Sequence, residues 1–171
     1  KACKFTKRRR GGQHTATTTT TTTVIMISSM NTSGPTISPM FLCGDSTPLF
    51  SAAFFVEVVG VAAHATGRRP VAVYLGAANG DDADHFEIFC AAVQTLRVPL
   101  QPHHVRAASA GAAEVLLVEE AALVVLAGGD VQLGWRAFVS SGLDLALRRA
   151  AATGAVLLGI SAGAIHLGTH G

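Results

Sequence analysis

The sequence GAVLLGISAGA, at residues 154–164, is the stretch that best defines the fold class. Its apolar run Ala155–Ile160 predicts a strand buried on both faces. Ser161 follows that strand and opens a run of small residues that favours a helix. A serine at such a turn, with Gly159 and Gly163 two positions to either side, is typical of an exposed nucleophile in an α/β sheet. The alternative is a purely structural Gly-Ser turn.

A second glycine-rich turn, Gly128-Gly129-Asp130, also stands between a predicted strand and a predicted helix. Paired glycines let the backbone approach a ligand closely, and successive N–H groups in such a turn bind anions. If the two strands are neighbours in the sheet, these amides and the amide of Ala162 face one position, as in an oxyanion hole. The sequence leaves two interpretations of Asp130 open, the N-cap of the following helix and a contact to substrate.

Outward from these turns, short apolar runs alternate with stretches of helical length. The predicted strands are Met40–Cys43, Pro70–Leu75, Val98–Gln101, Leu123–Leu126 and Ala155–Ile160. The predicted helices are Pro48–Ala65, Asp82–Leu96, Ala112–Glu120, Gln132–Ser140, Leu143–Ala152 and a stretch from Ser161 onward. Regular alternation of this kind, with continuous apolar strands, indicates an α/β fold. The sheet is expected to be doubly wound and mainly parallel, with helices on both faces.

Composition divides the 171 residues into a basic tail and a larger, weakly acidic body. Residues 1–44 contain six of the 13 basic residues and no Asp or Glu. The remainder has seven basic and 11 acidic residues, a net charge of −4, which argues against nucleic-acid binding. Residues 1–37 are rich in Thr and lack the apolar content needed to fold, so we expect a disordered tail there and one domain at 38–171.

Three widely spaced cysteines, Cys3, Cys43 and Cys90, form neither a metal-binding motif nor an evident disulfide pair. We therefore expect reduced thiols and a cytoplasmic protein, although the basic, acid-free tail is also typical of an organelle transit peptide. No cofactor-binding motif occurs, and no spacing of ligands suggests a metal. The longest apolar run, residues 150–165, is broken by glycines and Ser161, which fits a strand and a helix better than a membrane span.

Residues from about 40 to 168 resemble the cyanophycinase and dipeptidase E family of serine peptidases. The matching stretches are RPVAVY at 69–74, LVVLAGGD at 123–130 and GAVLLGISAGA at 154–164. The resemblance implies the class I glutamine-amidotransferase-like fold. It also implies a serine-type exopeptidase or dipeptidase that hydrolyses small peptides by acyl transfer, without a cofactor. One departure is Val131, because cyanophycinases often have Gln directly after the GGD turn.

The resemblance also assigns roles to residues of the two turns. Ser161 corresponds to the nucleophile, and the amides of Gly129 and Ala162, with Gly128 beside them, correspond to the oxyanion hole. Family members have the catalytic His and an acidic partner downstream of the nucleophile, whereas this sequence stops at Gly171. We therefore expect a peptidase-like domain that is incomplete at its C-terminus. A catalytically inactive fragment, or a non-catalytic binding relative that lacks the base, is the alternative.

Histidines near the predicted carboxyl edge of the sheet are the candidates for a base within this sequence. His103 and His104 follow the third predicted strand after Pro102, so they are expected at that edge. His166 and His170 lie in the helix that begins at the serine, and a helix directs such side chains away from its own first residue.

Esterases of the α/β-hydrolase type also use Gly-x-Ser-x-Gly, but no His-Gly-Gly segment precedes Ser161, so a peptidase remains the preferred interpretation. An incomplete sheet also leaves apolar surface exposed, which predicts either poor solubility or a homodimer. The expected partners are therefore a small peptide and a second copy of the chain, with neither nucleic acid nor membrane.

Overall fold

The computed structural model describes residues 24–27, 40–46, 52–63, 67–95 and 99–168, with the side chains of the first helix described at 55–62. The strands within these ranges are β1 Val24–Ile27, β2 Met40–Cys43, β3 Arg69–Leu75, β4 Gln101–Val105, β5 Ala121–Leu126 and β6 Val156–Ile160. The helices are α1 Ala52–Ala63, α2 Ala83–Thr95, α3 Ala112–Glu120, α4 Val131–Ser141, α5 Leu143–Ala152 and α6 Ala162–Leu167.

The strands form one sheet in the order β1-β2-β6-β5-β3-β4. All pairs from β2 to β4 are parallel, and β1 joins β2 in the antiparallel sense. Parallel neighbours need crossover connections, which the helices provide. The predicted doubly wound, mainly parallel α/β fold is confirmed. Strands β5 and β6 are neighbours, and the last pair in their register is Leu126 with Gly159. The turns that follow the two strands therefore lie side by side at the carboxyl edge.

The hydrophobic core lies on both faces of the sheet, which explains the continuous apolar strands. All six residues of β5 are buried. Alternate residues of β5 face opposite sides, so that Leu123 packs with Phe55 and Phe89 from α1 and α2, and Val124 packs with Phe138 from α4. A strand covered on both faces in this way has no position for a polar residue, and period-two alternation is absent from its sequence.

Strand β4, which corresponds to the third predicted strand, differs from its prediction. Val98–Gln101 was expected to form it, but β4 runs from Gln101 to Val105, and Pro99 and Leu100 precede it without strand structure. The strand lies at the sheet edge, where Pro102 is tolerated and the side chains alternate between exposed and half-buried. The apolar run before it is therefore not the strand, and residues 96–98 lie outside the described residues.

The segment 1–37 also needs a correction. Its composition predicts no structure, yet Val24–Ile27 forms β1 and pairs with Met40–Cys43. These four residues, VIMI, are apolar and mostly β-branched, and such residues favour pairing with an available strand edge. The other residues of the predicted tail lie outside the described residues. None of the helices in the described part is long and apolar enough to cross a bilayer.

Candidate active site

Ser161 occupies a strained turn between β6 and α6. Its backbone angles are φ 51° and ψ −113°. Among the described residues other than glycine, only Asp81 shares a positive φ. The Ser161 amide donates a hydrogen bond to the carbonyl of Cys43, at 2.7 Å, and the serine is exposed to solvent. Such a conformation costs about 1–3 kcal/mol and persists only where the surrounding structure enforces it. Residues strained in this way are found most often at functional sites.

Both glycines of the Gly-x-Ser-x-Gly motif are required by close packing. A Cβ at Gly159 would lie 2.6 Å from the carbonyl oxygen of Gly163. A Cβ at Gly163 would overlap the carbonyl oxygen of Leu126 at the end of β5. The glycines therefore allow α6 to begin directly against the ends of two strands, which holds Ser161 at the carboxyl edge.

The turn Gly128-Gly129-Asp130 lies against the serine. A Cβ at Gly128 would be 3.1 Å from the Cβ of Ser161 and 3.8 Å from its Oγ. Gly129 has φ 142°, a conformation that favours glycine, and a Cβ there would overlap the carbonyl oxygen of Ala78. The Asp130 amide donates to that same carbonyl at 2.8 Å. The turn is thus fixed from the side of β3 while it contacts the serine on the side of β6.

The N-terminus of α6 supplies further main-chain donors at this edge. Ala162 is its first residue, and the geometry of a helix leaves the first N–H groups without an acceptor inside the helix. The aligned peptide dipoles add partial positive charge there. Gly129 and Ala162 are the residues next to the contacting pair Gly128 and Ser161, so the structure brings the two predicted turns together.

Asp130 caps α4. Its Oδ1 accepts a hydrogen bond from the amide of Leu133, at 2.8 Å, and the residue is exposed. The cap is one of the two interpretations that the sequence leaves open for this carboxylate. Its other interpretation, a contact to substrate, concerns the same exposed side chain.

His103 and His104 lie near the carboxyl end of β4, but far from Ser161. They stand inside β4 instead of after a strand, and β5 and β3 separate that strand from β6. Three spacings of about 4.8 Å put roughly 14 Å between β4 and β6, too far for a hydrogen bond to Ser161. His103 is exposed on this edge strand.

His104 instead belongs to a cluster near the end of β3. Its side chain is 7% exposed, stacked on Phe86 at 4.8 Å and edge-on to Tyr74 at 5.4 Å. Its Nε2 lies 3.4 Å from Oδ1 of Asp81. Burial lowers the pKa of His104, the Asp81 carboxylate opposes that change, and Arg106 adds to it.

His166 points away from Ser161, as the geometry of a helix predicts. Its Nε2 lies 2.8 Å from the carbonyl oxygen of Val131, the first residue of α4. The imidazole stacks on Trp135 at 6.3 Å and meets Phe138 edge-on at 5.3 Å. A Cβ at Gly134 would lie 2.6 Å from Cε1 of the ring, so this glycine makes the space for it. His170 lies outside the described residues.

Cys43 is the other potential nucleophile beside the serine. It is buried, and burial, with a smaller effect of Asp45, raises the pKa of its thiol to about 11. A thiol with such a pKa is a poor source of thiolate. Within the described ranges, Cys43 and Cys90 are free cysteines, and no group of three His, Cys, Asp or Glu side chains could hold a metal ion.

A groove of about 460 Å³ lies between α4, α5 and α6, on the flank of the sheet. Trp135, Leu147 and Ile165 contribute apolar walls, and Asp144 and Arg148 add charge. Neither Ser161 nor the GGD turn lines it. The groove is therefore separate from the strained turn.

Comparison with known proteins decides the family. The sequence model of peptidase family S51 matches residues 60–171. The chain belongs to peptidase family S51. The resemblance to the cyanophycinase and dipeptidase E family is thereby confirmed. No curated protein matches the sequence significantly.

Two solved structures share the fold of this S51 chain. A peptidase from an acI-B1 Actinobacterium is 23% identical with a TM-score of 0.64, and the match covers 76% of this chain and 56% of that one. A protein from Listeria monocytogenes EGD-e, provisionally named peptidase E, is 16% identical with a TM-score of 0.57, and the match covers 81% of this chain and 60% of that one. The chain thus spans less than two thirds of the length of both.

Sequence reasoning missed three contacts of this site. The carbonyl of Cys43 binds the serine amide, the carbonyl of Ala78 binds the GGD turn, and Val131 binds His166. In the first two contacts the acceptor is a main-chain carbonyl, and the residue type at that position does not indicate the contact. The third has a weak signal, because a histidine among the small and apolar residues after Ser161 needs a polar partner.

Proposed function

We propose that this S51 chain is a serine peptidase that hydrolyses small peptides by acyl transfer through Ser161. The observation that carries the proposal is the contact of Gly128 with a serine held at positive φ between a strand and a helix. This is the local geometry of a nucleophile elbow, in which the hydroxyl stands free at the sheet edge and the next backbone amide faces the reacting carbonyl.

The reaction follows from the groups at the edge. Ser161 Oγ adds to the carbonyl carbon of the scissile peptide bond while a base takes its proton. The negative charge on the carbonyl oxygen is stabilised by the amides of Ala162 and Gly129, each donor of this kind contributing about 3–4 kcal/mol in related chemistry. The C–N bond then breaks, the amine leaves with a proton, and water hydrolyses the acyl-serine.

The base is the component that the described residues do not supply. In the ranges that the structure describes, no histidine or carboxylate hydrogen-bonds to Ser161 Oγ. A serine hydroxyl is a weak nucleophile without such a group. The family resemblance implies a histidine and an acidic partner downstream of Ser161. We therefore propose that the base lies outside the described residues.

The proposed substrates are dipeptides or the ends of short peptides, as the cyanophycinase-like and dipeptidase E-like motifs imply. Asp130 is exposed beside the proposed oxyanion hole, where its carboxylate can contact the substrate while it caps α4. The free thiols of Cys43 and Cys90 support a reducing, cytoplasmic setting. The net-negative body supports a small-molecule substrate over nucleic acid.

Hydrolysis of a panel of aspartyl and arginyl dipeptides by the gene product at its natural length tests this function. We expect turnover that Ser161→Ala abolishes. Ser140→Ala is the matched control, because Ser140 is an exposed serine of α4 whose Oγ donates to the carbonyl of Ala137 in its own helix. Turnover that survives Ser161→Ala would contradict the proposal.

A second function is favoured because no histidine or carboxylate among the described residues hydrogen-bonds to Ser161 Oγ. In that case the chain is a non-catalytic relative that keeps the fold and binds a peptide or a partner at the same edge. Binding of dipeptides without turnover, equal in wild type and Ser161→Ala, would establish this second function over the first.

A further inference from the structure

One side-chain hydrogen bond joins the two segments that carry the proposed oxyanion donors. His166 Nε2 lies 2.8 Å from the carbonyl oxygen of Val131. Val131 is two residues after Gly129, and His166 is four residues after Ala162. Since four residues make about one helical turn, the bond lies directly behind the N-terminus of α6.

The surroundings of His166 hold its ring in one orientation. Trp135 stacks on the imidazole and Phe138 meets it edge-on, while Gly134 leaves the room that Cε1 occupies. All three residues belong to α4, which is the helix that begins directly after the GGD turn. The ring is therefore seated on that helix, although its backbone belongs to α6.

The hydrogen bond also defines the state of the ring. A carbonyl oxygen only accepts, so Nε2 must carry the proton. Nδ1 is buried and has no hydrogen-bond partner among the described residues. An apolar side chain would fill this place without burying an unpaired nitrogen, and the bond to Val131 is the contact that only a donor can make.

We propose that His166 is a positioning residue that sets the separation of the Gly129 and Ala162 amides. An oxyanion hole is effective because its donors are aimed at one point before the reaction begins. Gly129 lies two residues before α4, Ala162 is the first residue of α6, and the hydrogen bond of His166 fixes α6 to the first residue of α4. The inference rests on the proposed function of Ser161 and adds a residue that touches neither substrate nor nucleophile.

Two substitutions separate the hydrogen bond from the packing. His166→Gln keeps an N–H donor close to the place of Nε2 but removes the aromatic ring. His166→Phe keeps a ring to pack on Trp135 and Phe138 but removes the donor. The rate of covalent labelling by a fluorophosphonate probe is measured on the natural-length protein, together with thermal unfolding, at a temperature where each variant is folded.

We expect His166→Phe to label on the order of tenfold more slowly than wild type, since misplacement by a fraction of 1 Å has effects of this size. His166→Gln should label within about twofold of wild type. With a dipeptide substrate, the loss in His166→Phe should fall on kcat and leave KM unchanged. If His166→Phe does not fold, His166→Met takes its place as the variant without a donor.

Equal labelling rates for wild type and His166→Phe would overturn this inference and leave the proposed function intact. A slower His166→Gln beside an unchanged His166→Phe would also overturn it, because packing alone would then matter. A wild-type protein that does not label at Ser161 would overturn the proposed function and this inference together.

Discussion

Gly128 lies so close to Ser161 that a Cβ on the glycine would be 3.1 Å from the Cβ of the serine. The two residues come from turns after neighbouring strands. Each turn donates a main-chain hydrogen bond to a carbonyl of another segment. Cys43 fixes the serine, and Ala78 fixes the GGD turn through Asp130. The backbone at the carboxyl edge is therefore preorganised around the serine hydroxyl.

Gly128→Ala should reduce activity more than stability. The new methyl group would be 3.1 Å from Ser161 Cβ and 3.3 Å from the Ile160 carbonyl oxygen, so these neighbours must move by a few tenths of an ångström. We expect the rate of acylation of Ser161 to fall roughly tenfold. Stopped-flow labelling kinetics and thermal unfolding would measure both effects. A variant with a wild-type labelling rate would show that the contact does not position the serine.

Gly129→Ala should instead destabilise the fold. Its φ of 142° is unfavourable for alanine, and the methyl group would overlap the carbonyl oxygen of Ala78. We expect the free energy of unfolding to fall by about 3 kcal/mol or more in urea titrations. Gly142→Ala is the matched control, because Gly142 has φ 76° with no atom within 4 Å of the added Cβ. That control should lose only about 1 kcal/mol, and equal losses would contradict the assignment of the clash.

Substitutions of Asp130 separate its two roles. Asp130→Ala removes the cap of α4, so unfolding should become easier by about 1 kcal/mol. Asp130→Asn keeps an oxygen that can accept from the Leu133 amide but removes the charge, so stability should be close to wild type. If the carboxylate also contacts substrate, Asp130→Asn raises KM for dipeptides. A KM unchanged in Asp130→Asn would leave the cap as its role.

Stability should fall on acidification because of His104. Burial lowers its pKa below the ordinary value of 6.5, so the unfolded chain binds a proton more readily than the folded chain. The free energy of unfolding is therefore highest above about pH 6.5 and falls as pH decreases from there. Urea titrations between pH 7.5 and 5 would measure the slope.

His104→Phe should flatten this slope, because it removes the titrating group and keeps a ring against Phe86 and Tyr74. His103→Gln, at the exposed neighbouring position of the same strand, controls for the loss of a histidine from β4. A slope that persists in His104→Phe would assign the pH dependence to another group.

The groove between α4, α5 and α6 should mediate self-association. Trp135 and Ile165 line it while 40% and 47% exposed, and Asp144 and Arg148 could pair across a two-fold axis. Sedimentation velocity should show a concentration-dependent dimer that Ile165→Glu weakens. Leu145→Glu is the control, since Leu145 is 52% exposed on α5 but does not line the groove. A monomer at all concentrations would contradict this prediction.

The sequence predicted the elements whose signals are local. Helix α3 was predicted to the residue, at Ala112–Glu120, and the Glu114 side chain accepts from the Gly111 amide at its start. The break between α4 and α5 falls at Gly142, which adopts a left-handed conformation. The proximity of the GGD turn and Ser161 was also predictable, because both follow buried strands that end at the same edge.

The contacts that could not be predicted from the sequence are those that depend on which strands are neighbours in the sheet. The Cys43 carbonyl accepts from the Ser161 amide because β2 lies beside β6. The four apolar residues of β2 do not indicate which strand is its neighbour. The predicted bounds of β4 were wrong because this edge strand contains Pro102 and exposed residues, whereas the prediction relied on the apolar run before it. The sequence places His166 in the helix that follows the serine, but it does not show that its hydrogen-bond partner Val131 lies on another helix.

The most direct test of the account is mass spectrometry of the natural-length protein after treatment with a fluorophosphonate. We expect one adduct per chain, located by fragmentation on the peptide that contains Ser161, and no adduct in Ser161→Ala. Failure of the folded protein to form an adduct, or an adduct on another residue, would contradict the assignment of Ser161 as the nucleophile.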